Sequence, residues 1–219
     1  MILYATPLTY ERLHIKPSET LHYALEQLYP QYDYINSIKN LEKWSEIYEW
    51  YIDLFYFKGK KYLRAVHLSS TFTLFFANVD ENFMHGLGYR IKTELLKYFI
   101  YDKEMQNCLK SLFSVSFLNF YSRINDKSRI NVHNLNTTSF NSKLPFFADF
   151  ISDNCIDTVM LNKAINSIAF IGKTEICSEH RLRMQITEFN RNSKLSNTII
   201  NLNQKLELTA HEQKVYTES

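Results

Sequence analysis

Residues 49–79 read EWYIDLFYFKGKKYLRAVHLSSTFTLFFANV, and this stretch decides the fold class. Apolar and polar side chains alternate along it, the pattern of strands with one face in a core. Tyr48 to Phe57, Tyr62 to Leu68 and Phe72 to Phe76 are rich in aromatic and β-branched residues, which favour a pleated, half-buried surface. Lys58-Gly59-Lys60 cuts the ribbon once and reads as a hairpin turn, with Gly59 free to take positive φ. Ser69-Ser70 marks a second turn. The stretch predicts a three-stranded antiparallel meander.

Upstream, Ile2 to Ala5 reads as a short strand, and Thr6-Pro7 as a helix start with Thr6 as N-cap. Pro17-Ser18 restarts a helix through Leu21, Leu25 and Leu28, followed by a loop over 29–40. Downstream, Asn78 or Asp80 caps a helix whose inward residues are Phe83, Met84, Leu87, Ile91, Leu95 and Phe99. A second helix is expected over 104–124, with Leu109, Leu112, Phe113, Phe117 and Phe120 inward. The polar run 125–143 is the expected mobile loop. A helix over 156–170 would share Val159, Met160, Ala164, Ser167 and Ile168 on one face. A helix over 179–190 and a stripe of Leu195, Ile199, Leu202 and Leu206 follow, and 210–219 reads as a tail. The expected architecture is α+β: a small antiparallel β-meander plus an N-terminal strand, packed by several α-helices. It forms one domain over 1–209, sheet-rich to 79 and helical beyond.

The 219 residues suit one domain, and 45% hydrophobic with 22% charged residues is enough to bury a core. A net charge of +2 gives little support to a nucleic-acid-binding stripe. The abundance of Tyr (15) and Phe (16), with frequent Asn, Lys and Ile, is what an AT-rich coding genome yields, so it does not by itself indicate a stacking surface. Three cysteines without short spacing argue against a disulfide framework and for a reducing cytoplasm. No apolar run approaches the ~18 residues of a membrane span, and the N-terminus lacks a signal-peptide pattern, so a cytoplasmic protein without membrane contact is expected.

Several chemistries are not supported. Gly172-Lys173-Thr174 ends like a phosphate-binding loop, but Ser167 stands where the upstream glycine belongs. Without it the backbone cannot form a phosphate-cradling nest. No closely spaced Cys or His pair offers a zinc site, so no metal and no cofactor is expected. Asp149, Asp153 and Asp157 recur every four residues and could present oxygens to Mg²⁺, but Asp153 is explained more simply as the cap of a helix starting near Cys155. The hydroxyls Ser69, Ser70 and Thr71 lack the glycine-flanked elbow of a serine nucleophile.

A phosphodiesterase needs a base, an acid and a cation for the developing charge. The candidates are His67, Arg64, His133 and His180. Arg64 and His67 lie on one strand and, by alternation, point to opposite faces. Arg129 and His133 approach the Arg-x(4–6)-His spacing of HEPN ribonucleases, with only three intervening residues. Glu179-His180-Arg181-Leu182-Arg183 gathers acid, base and cations, yet also suits the exposed start of an amphipathic helix. Candidate binding residues are Lys58, Lys60 and Lys61 at the turn, Trp50 at the start of the ribbon, and Arg181 and Arg183.

Trp50-Tyr51-x-x-Leu54-Phe55, Lys60-Lys61-x-Leu63 and Val66-His67-x-x-x-Thr71 resemble an uncharacterised bacterial family known only as a domain of unknown function. ILYATPLTYERLHIKP looks like that family's opening, Asn166 to Gly172 loosely resembles its Asn-Arg-Ser-x-x-Gly segment, and Asn201-Leu202-Asn203 resembles its Asn-rich end. The resemblance covers about the first hundred residues. This chain has His67 where the family tends to have Asn. The resemblance implies a cytoplasmic bacterial protein from a plasmid, phage or defence neighbourhood, and no activity.

The sequence therefore carries a first expectation of a non-catalytic interaction or regulatory module with a protein partner. Its alternatives are a small metal-independent nuclease of the toxin-like ribonuclease kind and a DNA-binding protein using residues 179–194.

Overall fold

In a computed structural model the stretch 49–79 forms the meander that its alternation requires. Strand β2 is Glu49–Phe57, β3 is Lys60–His67 and β4 is Thr73–Ala77, paired antiparallel in that order. The structure describes residues 1–5, 7–14, 46–80, 83–84, 86–113, 120–123, 150–152, 155–167 and 176–192. The first turn is two residues, Lys58 at φ 47° and Gly59 at φ 77°. Positive φ at both central positions is what a type I′ turn demands, and its twist matches that of the flanking strands.

The N-terminal strand β1 (Ile2–Ala5) joins β2 in parallel, leads into the short helix α1 (Pro7–Arg12), and carries β5 (Phe120–Arg123), also parallel, on its other side. The sheet is thus mixed, in the order β4-β3-β2-β1-β5. The fold is α+β, as expected, with the antiparallel meander extended by parallel β1 and β5. One expectation is corrected: the helix expected over 104–124 stops at Leu112. Phe120–Arg123 is a strand, because its backbone pairs with β1 instead of continuing a helical face.

Helix α2 (Leu87–Tyr98) and α3 (Lys103–Leu112) follow the meander. All of Phe83, Met84, Leu87, Ile91, Leu95 and Phe99 are buried, as the spacing predicts. Asp80 accepts from the Phe83 N–H at 2.6 Å, so the cap is Asp80; Asn78 instead takes a left-handed φ of 56°. A two-residue hairpin, β6 (Ile151–Ser152) and β7 (Cys155–Ile156), precedes α4 (Thr158–Ser167). The cap of α4 is Asp157, which accepts from the N–H groups of Val159 and Met160 at 3.0 Å, whereas Asp153 was the expected cap. The last described helix, α5, spans 178–192.

The sheet is covered on both faces. One carries Leu3, Trp50, Ile52, Leu63, Leu74 and Phe76 against α2, α3 and α5 in the main core. The other places Tyr62 and Phe75 against Ile156, Leu161 and Ile165 in a smaller core of its own. The buried side of α4 is Leu161, Asn162, Ile165 and Asn166, while Val159 and Met160, expected inside, are exposed. The reason is polar: α4 lies along the edge strand β4, and its asparagines bond the strand's backbone. The expected loop 125–143, the helix through Leu28 and the stripe from Leu195 lie outside the described residues. Among the described residues no helix is long and apolar enough to cross a membrane.

Candidate functional site

Odd-even alternation sends Arg64 and His67 to opposite faces, and the structure shows what each meets. His67 faces the main core and is fully buried. Its Nε2 lies 3.1 Å from the Ile47 carbonyl, which can only accept, so the ring proton sits on Nε2. Nδ1 then accepts from the Ser70 hydroxyl at 2.7 Å, and the Ser70 oxygen accepts from the Phe72 N–H at 3.2 Å. The Trp50 ring, opposite His67 across the strand pair, closes the pocket at 5.1 Å between centroids. His67 therefore fastens the 68–72 turn to the sheet. Trp50, a candidate for ligand stacking, is only 1% exposed and belongs to the core instead.

Arg64 stands opposite Asp53 and grips it with both arms, Nε to Oδ1 at 2.9 Å and Nη2 to Oδ2 at 2.7 Å. The fork-to-fork geometry suits guanidinium and carboxylate. The side chains are 3% and 19% exposed, so the arginine is sunk and the aspartate reaches partway to water. Tyr51 flanks the pair; burial first, then the Asp53 charge, push its phenol up, with Arg64 opposing. On the same face Tyr4 donates to Glu49 at 3.3 Å. Sequence reasoning missed this polar band. The signal for it was Glu49, Tyr51 and Asp53 at a spacing of two.

Helix α5 brings basic residues to the sheet. Arg181 Nη2 donates to Thr71 Oγ1 at 2.6 Å, and Ser69 donates to Gln185 at 3.1 Å. Both bonds reach the turn that His67 anchors. Thr71 holds a φ of 61°, unusual for a β-branched residue, and its N–H bonds the His67 carbonyl at 2.8 Å. Burial lowers the Arg181 guanidinium, with Cys177 opposing. Arg183 turns the other way, pairing with Asp102 and, at 3.3 Å, with Glu179, and its guanidinium lies 5.1 Å from the Phe99 ring centroid. Burial pulls Arg183 down, but Asp102 and Glu179 outweigh it. Tyr98 donates to Glu179 at 2.8 Å, and burial followed by that bond pushes its phenol up.

The remaining candidates are dispersed. His180 is exposed on α5, and His133 lies outside the described residues. At the hairpin Lys58 is exposed with Nζ 5.7 Å from the Phe57 ring centroid, Lys60 reaches the Cys155 sulfur, and Lys61 is half-buried. Among the described residues no group of three or more His, Cys, Asp or Glu side chains is placed to hold a metal ion.

The α2–α3 turn beside Arg183 also exposes large apolar side chains. The Tyr98–Glu179 and Asp102–Arg183 contacts bring the α2–α3 turn against the start of α5. From that turn Ile100 and Tyr101 project with 60% and 96% exposure, and Ile176 and Met184 are exposed from the α5 side. In comparison with known proteins, the chain matches no family model and no curated sequence.

Proposed function

We propose that this chain is a non-catalytic interaction or regulatory module that binds a protein partner through the patch formed by the α2–α3 turn and the start of α5. The observation that carries the proposal is the exposure of Ile100 and Tyr101 on the α2–α3 turn and of Ile176 and Met184 on the segment that packs against it. Large apolar side chains left exposed on both sides of one junction favour a partner surface over bulk water. Three of the side chains with base or cation chemistry are engaged inside the molecule: His67 by Ile47 and Ser70, Arg64 by Asp53, Arg183 by Asp102 and Glu179. A buried imidazole bonded at both nitrogens has no reach to a substrate proton.

The nuclease reading keeps one observation in its favour. Arg181, from a later helix, does reach the turn next to His67. A DNA-binding role for α5 would have to pull Arg181 and Arg183 away from Thr71, Asp102 and Glu179 before either could meet a phosphate. The test uses the purified chain with labelled single-stranded RNA and duplex DNA at low salt, where phosphate contacts are strongest. The module reading expects no cleavage above the buffer blank and no mobility shift. Cleavage that disappears in a folded His180→Ala variant would establish the enzyme instead.

A further inference from the structure

The edge strand β4 meets side chains where another strand would lie. In its register with β3, the N–H and C=O groups of Thr73 and Phe75 point away from the sheet. Asn166 of α4 accepts from the Thr73 N–H at 2.8 Å and donates to the Thr73 carbonyl at 2.7 Å. Asn162 accepts from the Phe75 N–H at 2.7 Å and donates to the Phe75 carbonyl at 3.4 Å. Each carboxamide presents one acceptor and one donor, the pair that a residue of a neighbouring strand would present. The spacing fits: four residues of helix rise about 6 Å and two residues of strand about 6.8 Å. Asn162 and Asn166 thus stand in for a sixth strand.

We propose that α4 is a releasable cover of the β4 edge, and that a second copy's β4 takes its place when α4 is displaced. One feature argues for release. The apolar side of α4 rests on the small core with Tyr62, Phe75 and Ile156, separate from the main one. Among the described residues its polar side holds the β4 edge and, through Asn166, the Ser178 hydroxyl of α5 at 2.9 Å, and a helix seated on a satellite core opens at lower cost than the main core. The occupant follows from the strand: Phe72 to Ala77 reads FTLFFA, with no charge, proline or glycine. Such a segment pairs with its own kind once its edge is open.

The test replaces both asparagines by leucine (N162L/N166L), which keeps helix propensity and bulk but removes the strand-like bonds. Light scattering after size exclusion should show at least a doubling of mass relative to the unaltered chain at equal concentration, with an unchanged far-UV circular dichroism spectrum. The Thr73 and Phe75 amides should be protected from exchange in the associated form and unprotected on dilution. An unchanged mass with an intact spectrum overturns the proposal, and so does association that leaves those amides unprotected. If the variant does not fold, hydrogen exchange in the unaltered chain decides. A releasable cover requires the Thr73 and Phe75 amides to exchange at least ten-fold faster than those of Leu74 and Phe76, which bond to β3. Equal rates would show that α4 does not open separately.

Discussion

At the scale of single residues, the polar groups most suggestive of chemistry are spent on holding the fold. Removing His67 leaves the Ile47 carbonyl and the Ser70 hydroxyl without their bonds and opens a cavity beneath Trp50. His67→Ala should cost about 3 kcal/mol, read as a lower denaturant midpoint at constant slope. Asp53→Asn should cost about 2 kcal/mol, less than a fully buried pair would, because Asp53 is partly open to water; a double-mutant cycle with Arg64→Met measures the coupling. Asp102 gives the pH dependence. The Met105 N–H first, then Arg183, hold its carboxyl below the usual range. A depressed carboxylate adds stability above its unfolded value and loses it as pH falls through the folded one. Asp102→Asn should therefore flatten the acid limb of a stability-versus-pH curve below about pH 4, by less than about 1 kcal/mol because the pair is partly open to water. The alternation of 49–79 revealed that Arg64 and His67 part company. It could not reveal that both are consumed, because the partners Ile47, Ser70 and Asp53 are ordinary residues until the register is fixed.

At the scale of elements, the meander was legible because the pleat has a fixed period and Gly59 marks its turn. Gly59 sits at φ 77° with nothing near the place a Cβ would occupy, so only backbone strain penalises a side chain there. Gly59→Ala should cost about 1 kcal/mol and Gly59→Asn less, since Asn tolerates the left-handed region; thermal unfolding of the two variants gives the order. Helix α2 was legible from the same kind of regularity at helical spacing. Strand β5 was not, since its four residues become a strand only by lying beside β1, a long-range pairing that local sequence cannot register. The buried side of α4 was misread for a related reason. Apolar periodicity assigns asparagine to water, whereas the β4 edge takes a donor and an acceptor from each of Asn162 and Asn166. Asp157→Ala, which removes the α4 cap, should destabilise by about 1 kcal/mol.

At the scale of the whole molecule, helices close both faces of a mixed sheet, and α5 ties the β3–β4 turn to the α2–α3 turn through Arg181, Gln185 and Arg183. The apolar exposure on either side of that tie was not legible in the sequence, because Ile100 and Tyr101 belong to one segment and Ile176 and Met184 to another, and the two come together only when α5 docks. Their exposure is the basis for an interaction role. The most direct test is photo-crosslinking in the native host, with benzoylphenylalanine in place of Tyr101. The proposed role predicts an adduct of one discrete mass, containing one identifiable protein and lost in a folded Ile100→Asp/Met184→Asp variant. Tyr101 probes that react only with water, or adducts that persist unchanged in that variant, would contradict it.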